Sequence, residues 1–159
     1  MIIDIHPNYK KLLELVDSRP EIVRFIFQNR VKTVDEAIEV SGFKKSQFIK
    51  TIILRHKDTD EFVISILKAG SNVDRKVLRE GVKPKRWKLA TIAEVLELTG
   101  FPIGGVPAIC LGSLTKYVDP RVLKEEFVVS GGGDEMSLIK LPSRLIIEDG
   151  AIEKIVSFG

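Results

Sequence analysis

The chain has 159 residues, 44% hydrophobic and 30% charged, with a net charge of +3. That balance belongs to a globular domain able to bury a core; it excludes a disordered chain, and no apolar run approaches the roughly 20 residues of a membrane span. A single cysteine, Cys110, permits no internal disulfide, and the start (Met1-Ile-Ile-Asp-Ile-His6) lacks a charged-then-apolar leader, so the expected location is the cytoplasm.

A helix is expected over residues 7–16, with Pro7 in its first turn and Tyr9, Leu12, Leu13 and Val16 as an apolar stripe. Ser18-Arg19-Pro20 breaks it, and residues 21–27 read as a strand. Thr33-Val-Asp-Glu36 is a capping box, in which the hydroxyl accepts from the third amide while the glutamate reaches back. It starts a short helix with Val34, Ala37 and Ile38 inward, ending at Gly42.

Residues 47–56 are the run that organises the chain. They are apolar and β-branched, hence a strand, and alternation puts Phe48, Lys50, Ile52 and Leu54 on one face, Ile49, Thr51, Ile53 and Arg55 on the other. Lys50 thus sits on a row that otherwise looks like core. An unpartnered buried ammonium is costly, so this lysine either snorkels to solvent at the strand end or lines a polar cavity for an anion. A polar turn at 57–61 and an apolar run at 62–68 complete an antiparallel hairpin.

Ser71-Asn-Val-Asp74 is expected to open another helix, Val73, Val77 and Leu78 inward and Gly81 closing it, with Arg75, Lys76 and Arg79 on its outer face. Charge concentrates in this part of the chain: residues 43–88 carry 13 Lys/Arg against 5 Asp/Glu, whereas both flanks are net acidic. With Lys44 and Lys45, those three cations form the expected RNA-binding set; a plain solvated surface is the other reading. In the basic run at 83–88, Trp87 either stacks on a base or, the favoured reading, packs into the core.

Thr91-Ile-Ala-Glu94 is a second capping box, starting a helix with Ile92, Val95 and Leu96 inward that stops at Gly100. Residues 100–107, Gly-Phe-Pro-Ile-Gly-Gly-Val-Pro, form a constrained loop whose backbone can approach a ligand closely. Short strands are expected at 108–111, 116–118, 127–130 and 137–141, with closing strands within 151–158. Asp119-Pro120 reads as a helix start and 143–147 as a turn of helix. There is no repeat and no linker, so residues 1–159 read as one domain of mixed α/β architecture.

His6, His56 and Cys110 stand far apart, without metal-ligand spacing, and no Gly-x-Ser-x-Gly elbow or P-loop occurs. A metal site is not expected. Cys110, inside an apolar run, reads as a small buried hydrophobe rather than a nucleophile. What remains is one inward lysine, two glycine-rich loops and a basic segment. Gly131-Gly132-Gly133 either exposes successive amides as a cradle for an anion or carbonyl, or simply makes a tight connection between strands.

Taken in order, Thr33-Val-Asp-Glu-Ala37 with Gly42, Phe48-Ile-Lys50-Thr51, Asn72-Val-Asp74 with Lys76, Thr99-Gly100 leading to Gly104-Gly105-Val106-Pro107, and Val129-Ser130-Gly131-Gly132 resemble the YbaK/EbsC family of aminoacyl-tRNA deacylases. That family includes the editing domain inserted in bacterial prolyl-tRNA synthetases. The resemblance implies an α/β fold around a mixed, barrel-like sheet with a pocket for the aminoacyl end of tRNA. Lys50 matches the family's essential lysine, taken there to hold the phosphate or ribose region of the tRNA terminus. The Gly104–Pro107 segment matches the family's loop beside the substrate, and Ser130 with Gly131 the opposite wall. The implied activity is hydrolysis of the ester joining a wrong amino acid to tRNA without metal or cofactor, the terminal adenosine's hydroxyl, substrate groups and a bound water carrying much of the chemistry.

The expected site is therefore Lys50 as the catalytic residue, with Phe27, Thr51, Gly104, Gly105, Val106, Pro107, Ser130, Gly131, Gly132, Gly133 and Asp134 around the substrate. Phe27 falls where some cysteine-editing relatives carry a tyrosine, and Gly133-Asp134 resembles relatives that edit alanine or other small residues; both count against a cysteinyl substrate. The expected substrate is a small amino acid mischarged on a tRNA(Pro)-type tRNA. The alternative is a noncatalytic tRNA-binding or synthetase-associated module, and an aminoacyl-tRNA synthetase remains open as a second partner.

Overall fold

The computed structural model describes residues 5–31, 33–74 and 86–158. Helix α1 (Pro7–Ser18) starts where the His6 imidazole accepts from the Asn8 amide at 3.1 Å, and strand β1 (Val23–Ile26) follows it. Helix α2 (Val34–Ser41) is capped by the Thr33 hydroxyl, which accepts from the Glu36 amide at 3.1 Å, and closes on Gly42 at φ 74°. A single 3₁₀ turn, Lys45–Gln47, leads into β2 (Ile49–His56). Then come β3 (Phe62–Lys68), β4 (Asn72–Val73), β5 (Trp87–Leu89) and α3 (Ile92–Thr99). The capping box of α3 is complete: Thr91 accepts from the Glu94 amide at 3.1 Å and Glu94 accepts from the Thr91 amide at 3.0 Å. The remaining elements are β6 (Thr115–Val118), β7 (Phe127–Gly131), β8 (Ser137–Pro142), α4 (Arg144–Glu148), β9 (Ile152–Glu153) and β10 (Ser157–Phe158).

The predicted hairpin forms: β2 and β3 pair antiparallel, with Ile53 opposite Ile64 and Lys50 opposite Leu67. They lie inside a five-stranded sheet of order β5-β2-β3-β6-β9, in which β6 runs parallel to both neighbours. Strands β1-β8-β7 make an antiparallel sheet, joined to the first where Phe48 bridges Val129 in parallel fashion. Strands β4 and β10 form a separate pair. The architecture is mixed α/β, as expected; among the described residues these ladders do not close into a ring. No described helix is long and apolar enough to cross a membrane.

The main core lies between the sheets and under α1 and α3, with Leu12, Ile64, Ile66, Phe101, Ile139 and Ile146 inaccessible to solvent. Trp87 belongs to a second cluster with Leu54, Val63 and Val156, and its ring meets that of His56 edge-on at 5.6 Å. The favoured reading of the tryptophan thus holds, and it anchors β5, an edge strand that no sequence signal marked.

Several expectations need correction. Asn72–Val73 is a strand paired with β10, because its amides face another chain segment rather than a helical turn; the rest of that predicted helix, with Arg75, Lys76 and Arg79, lies outside the described residues. Residues 108–111 are buried but not a strand: Cys110 takes φ 62°, which interrupts extended backbone, and its amide donates to Asp149 at 3.2 Å. The same carboxylate holds the buried Lys116 ammonium at 2.5 Å. Asp119-Pro120 leads only into one 3₁₀ turn, Val122–Lys124. In α3, Val95 faces inward but Ile92 and Leu96 are 70% and 51% exposed; Thr99 takes the inner position one turn further on.

Truncating Trp87 should empty the second cluster. Trp87→Ala is expected to cost about 3–5 kcal/mol of stability, read from the midpoint of denaturant unfolding.

Candidate active site

A cavity of about 400 Å³ opens between α2, β2, the start of α3, the 103–106 loop and the end of β7. Lys50, Thr51, Gly104, Val106, Ser130 and Gly131 share its wall, so one lysine and parts of both glycine-rich loops converge as the sequence suggested. The rest is mostly aliphatic, chiefly Val34 and Ala37 from α2, Ile52 and Ile53 from β2, Val95 and Ile103, with Phe48 and Thr33 beside them.

Lys50 lines this largely apolar cavity. Its side chain is part-buried, and desolvation holds its pKa below the ordinary lysine value. Among the described residues no carboxylate or other side chain pairs with its ammonium.

The two loops are fixed by close backbone contact. Gly105 donates to the Pro102 carbonyl at 2.9 Å, closing a turn whose third residue, Gly104, stands at φ 88°. A Cβ on Gly105 would lie 2.7 Å from the Asp134 carbonyl oxygen, and one on Gly131 would lie 2.6 Å from the Gly105 carbonyl carbon. Only glycine allows the chains to approach so closely. The Gly133 amide completes the contact by donating to the Gly105 carbonyl at 2.8 Å. Nearby, the Ala108 amide donates to the Ser130 hydroxyl at 3.3 Å, that hydroxyl donates to the Gly131 carbonyl at 3.2 Å, and Thr51 donates to the Pro107 carbonyl at 3.4 Å.

Other expected residues support the wall from behind instead of facing the cavity. The Gly132 amide is taken by the Ser137 carbonyl at 3.1 Å and that of Gly133 by Gly105, so the triple glycine is a tight connection and not an anion cradle. Asp134 accepts from Arg24 at 2.8 Å and from both Met136 and Ser137 at 2.8 Å, leaving its carboxylate committed within the protein. Gly105 and Pro107 are not among the residues that line the cavity. Phe27 packs against the cluster of Phe48, Val129 and Leu138 one layer behind the wall. Lys44 and Lys45 are exposed ahead of β2 and off the cavity wall; Lys45 borders a separate hollow near Lys68 and Arg121. Cys110 is buried elsewhere, and burial pushes its thiol up to about 11.

Sequence reasoning missed Arg24. Its guanidinium, 12% exposed, donates to the Gly132 carbonyl at 2.7 Å, to Asp134 at 2.8 Å and to the Tyr9 hydroxyl at 3.0 Å, tying α1 and β1 to the second loop. A signal existed: like Lys50, it is a lone cation inside an apolar strand, between Val23 and Phe25. The contribution of α2 and α3 to the wall was also unmarked, since Val34 and Val95 read simply as core.

Chemically, the wall carries one ammonium, and the amides of two of its residues, Gly104 and Val106, donate to no protein acceptor among the described residues. The profile of the aminoacyl-tRNA editing domain matches residues 28–147. The proline–tRNA ligase of Kosmotoga olearia is 27% identical over 135 residues, covering 82% of this chain and 21% of the ligase. The multifunctional Ser/Thr-tRNA deacylase ProXp-y of Escherichia coli K12 is 26% identical over 122 residues, covering 76% of this chain and 73% of that protein. Among solved structures, the hypothetical protein APE2540 superposes with a TM-score of 0.79 at 30% identity, covering 93% and 99% of the two chains. The chain therefore spans about a fifth of the ligases it matches but most of the free-standing deacylase.

Because Gly105 and Gly131 are in backbone contact, a methyl group at either must push the loops apart. Gly131→Ala is expected to destabilise the fold by about 1–3 kcal/mol, measured by denaturant unfolding. Gly104→Ala meets no neighbouring atom and is strained only through its positive φ, so its cost should be smaller, about 1 kcal/mol.

Proposed function

This chain belongs to the aminoacyl-tRNA editing domain family, and on that footing we propose that it is a deacylase hydrolysing the ester between a small, wrongly attached amino acid and its tRNA. The observation that carries this reading is the convergence of Lys50 and the two glycine loops on one cavity. An editing site answers a physical need: one methylene is worth only about 1–3 kcal/mol in a hydrophobic synthetase pocket, so a second sieve must remove what the first admits.

In this reading the Lys50 ammonium meets the phosphate or ribose oxygens of the tRNA terminus. The free amides of Gly104 and Val106 are the donors available to the ester carbonyl oxygen as it gains negative charge. Water adds to the acyl carbon, the bond from that carbon to the ribose oxygen breaks, and the ribose oxygen leaves with a proton. The Thr51 and Ser130 hydroxyls already donate their protons to backbone carbonyls. They suit the wall better than the role of nucleophile, which falls to water assisted by the substrate's own hydroxyl. Similarity to proline–tRNA ligases supports a tRNA(Pro)-type substrate, and residues 1–159 would serve as one editing domain. A tRNA substrate fits a cytoplasmic location, and a synthetase partner would supply further tRNA selection.

Deacylation of Ala-, Ser-, Thr-, Cys- and Pro-charged tRNA, measured side by side, tests the activity. Lys50→Met should lower the best of these rates by about 10²- to 10³-fold while leaving the circular dichroism spectrum unchanged; undiminished activity would remove Lys50 from the mechanism. The same variant should be no less stable than the parent at neutral pH. Burial lowers the folded-state pKa of Lys50, so the folded state binds its proton less readily than the unfolded state; that penalty is full at pH values below the folded pKa, falls as pH rises above it and is gone above the unfolded-state value. Activity that depends on the charged ammonium should correspondingly fall on the alkaline side before an ordinary lysine would titrate.

A further inference from the structure

The charge inventory of the cavity bears on a part of the substrate that the deacylase reading leaves unassigned, its α-amino group. An aminoacyl ester carries that amine next to the reacting carbonyl, inside the cavity and not at its mouth. Lys50 is the one charged side chain among the described residues of the wall. From α2 the wall receives Thr33, Val34 and Ala37; from α3, Val95; from β5 and the residue after it, Leu89 and Ala90. The loops and β7 bring no acid either. The carboxylates behind the wall are occupied: Asp134 by Arg24, and Glu94 by the Thr91 amide and by Arg55 at 2.7 Å. Asp35 and Glu36 stand on the exposed first turn of α2 and off the wall.

A protonated α-amine entering this space meets a cation or, where a substrate phosphate has neutralised Lys50, a largely apolar wall on which the described residues place no anion. A charge taken out of water without a partner shifts toward its neutral form. We propose that the site takes the acyl group with its α-substituent uncharged, so that its substrates include tRNA esters of α-hydroxy acids as well as of amino acids in their neutral-amine form. The reaction is the same hydrolysis: water supplies the hydroxyl to the acyl carbon and the proton to the departing ribose oxygen. This inference rests on the deacylase reading and adds to it a substrate class.

The test compares lactyl-tRNA with alanyl-tRNA, the two esters differing only in a hydroxyl for the amine, on one tRNA between pH 5.5 and 8.5, each corrected for uncatalysed hydrolysis. Groups on the enzyme, Lys50 included, act on both esters and cancel in the ratio of kcat/KM. The expected ratio favours lactyl-tRNA by at least tenfold at pH 6 and shrinks as pH passes the α-amine's value of about 7.7–8.0. A ratio that does not change with pH, or lactyl-tRNA that is the poorer substrate at pH 6, would overturn the proposal while leaving the deacylase intact. Hydrolysis of neither ester, nor of any other charged tRNA, would remove the deacylase reading itself and this inference with it.

Discussion

The site depends on two loops meeting backbone to backbone. Gly105 and Gly131 approach within distances that exclude any side chain, and the Gly133 amide closes the contact on the Gly105 carbonyl. Neither loop belongs to a helix, and the first belongs to no strand, so each would be mobile alone; in contact, each becomes the template of the other. Arg24 extends the arrangement by holding the Gly132 carbonyl and the Asp134 carboxylate together, and Tyr9 brings α1 into the same network. The position of Gly104 and Val106 on the cavity wall is thus set by residues far from it in sequence.

Strand β2 carries the other half of the site. It is paired on both sides, to β3 and β5, and its N-terminal flank bridges β7 through Phe48 and Val129. The Lys50 backbone is held by the β3 ladder, opposite Leu67, and its row neighbours are Phe48 and Ile52. The lowered pKa of Lys50 expresses the cost of that placement. Under the proposed reading, the nucleic-acid terminus supplies the charge that this cation lacks.

How much of this was legible in the sequence follows from how local each signal is. The Thr33 and Thr91 caps, the glycine stops at 42 and 100, and the β2–β3 hairpin depend on neighbours a few residues away, and all appear where expected. Lys50 stood out because one cation broke an apolar alternation. The failures are long-range. Whether the Gly132 and Gly133 amides were free turned on Ser137 and Gly105, and whether Asp134 was available turned on Arg24, 110 residues earlier. Burial of residues 108–111 was readable from their apolarity, but not the φ of 62° at Cys110, which reflects its bond to Asp149. Ile92 and Leu96 look inward by periodicity, yet α3 is only eight residues long and buries the narrower stripe of Val95 and Thr99.

The proposed reading assigns no nucleophile to the protein, and packing bears on that as well as composition. The chain has hydroxyls and a thiol, but Ser130 and Thr51 give their protons to carbonyls that hold the loops in place, and Cys110 is kept protonated inside the core. Under the proposed deacylase reading the site acts by placement: one cation for the tRNA end, main-chain donors for the carbonyl, and a largely apolar enclosure around both. The glycines, Arg24 and Lys50 are parts of that single strategy.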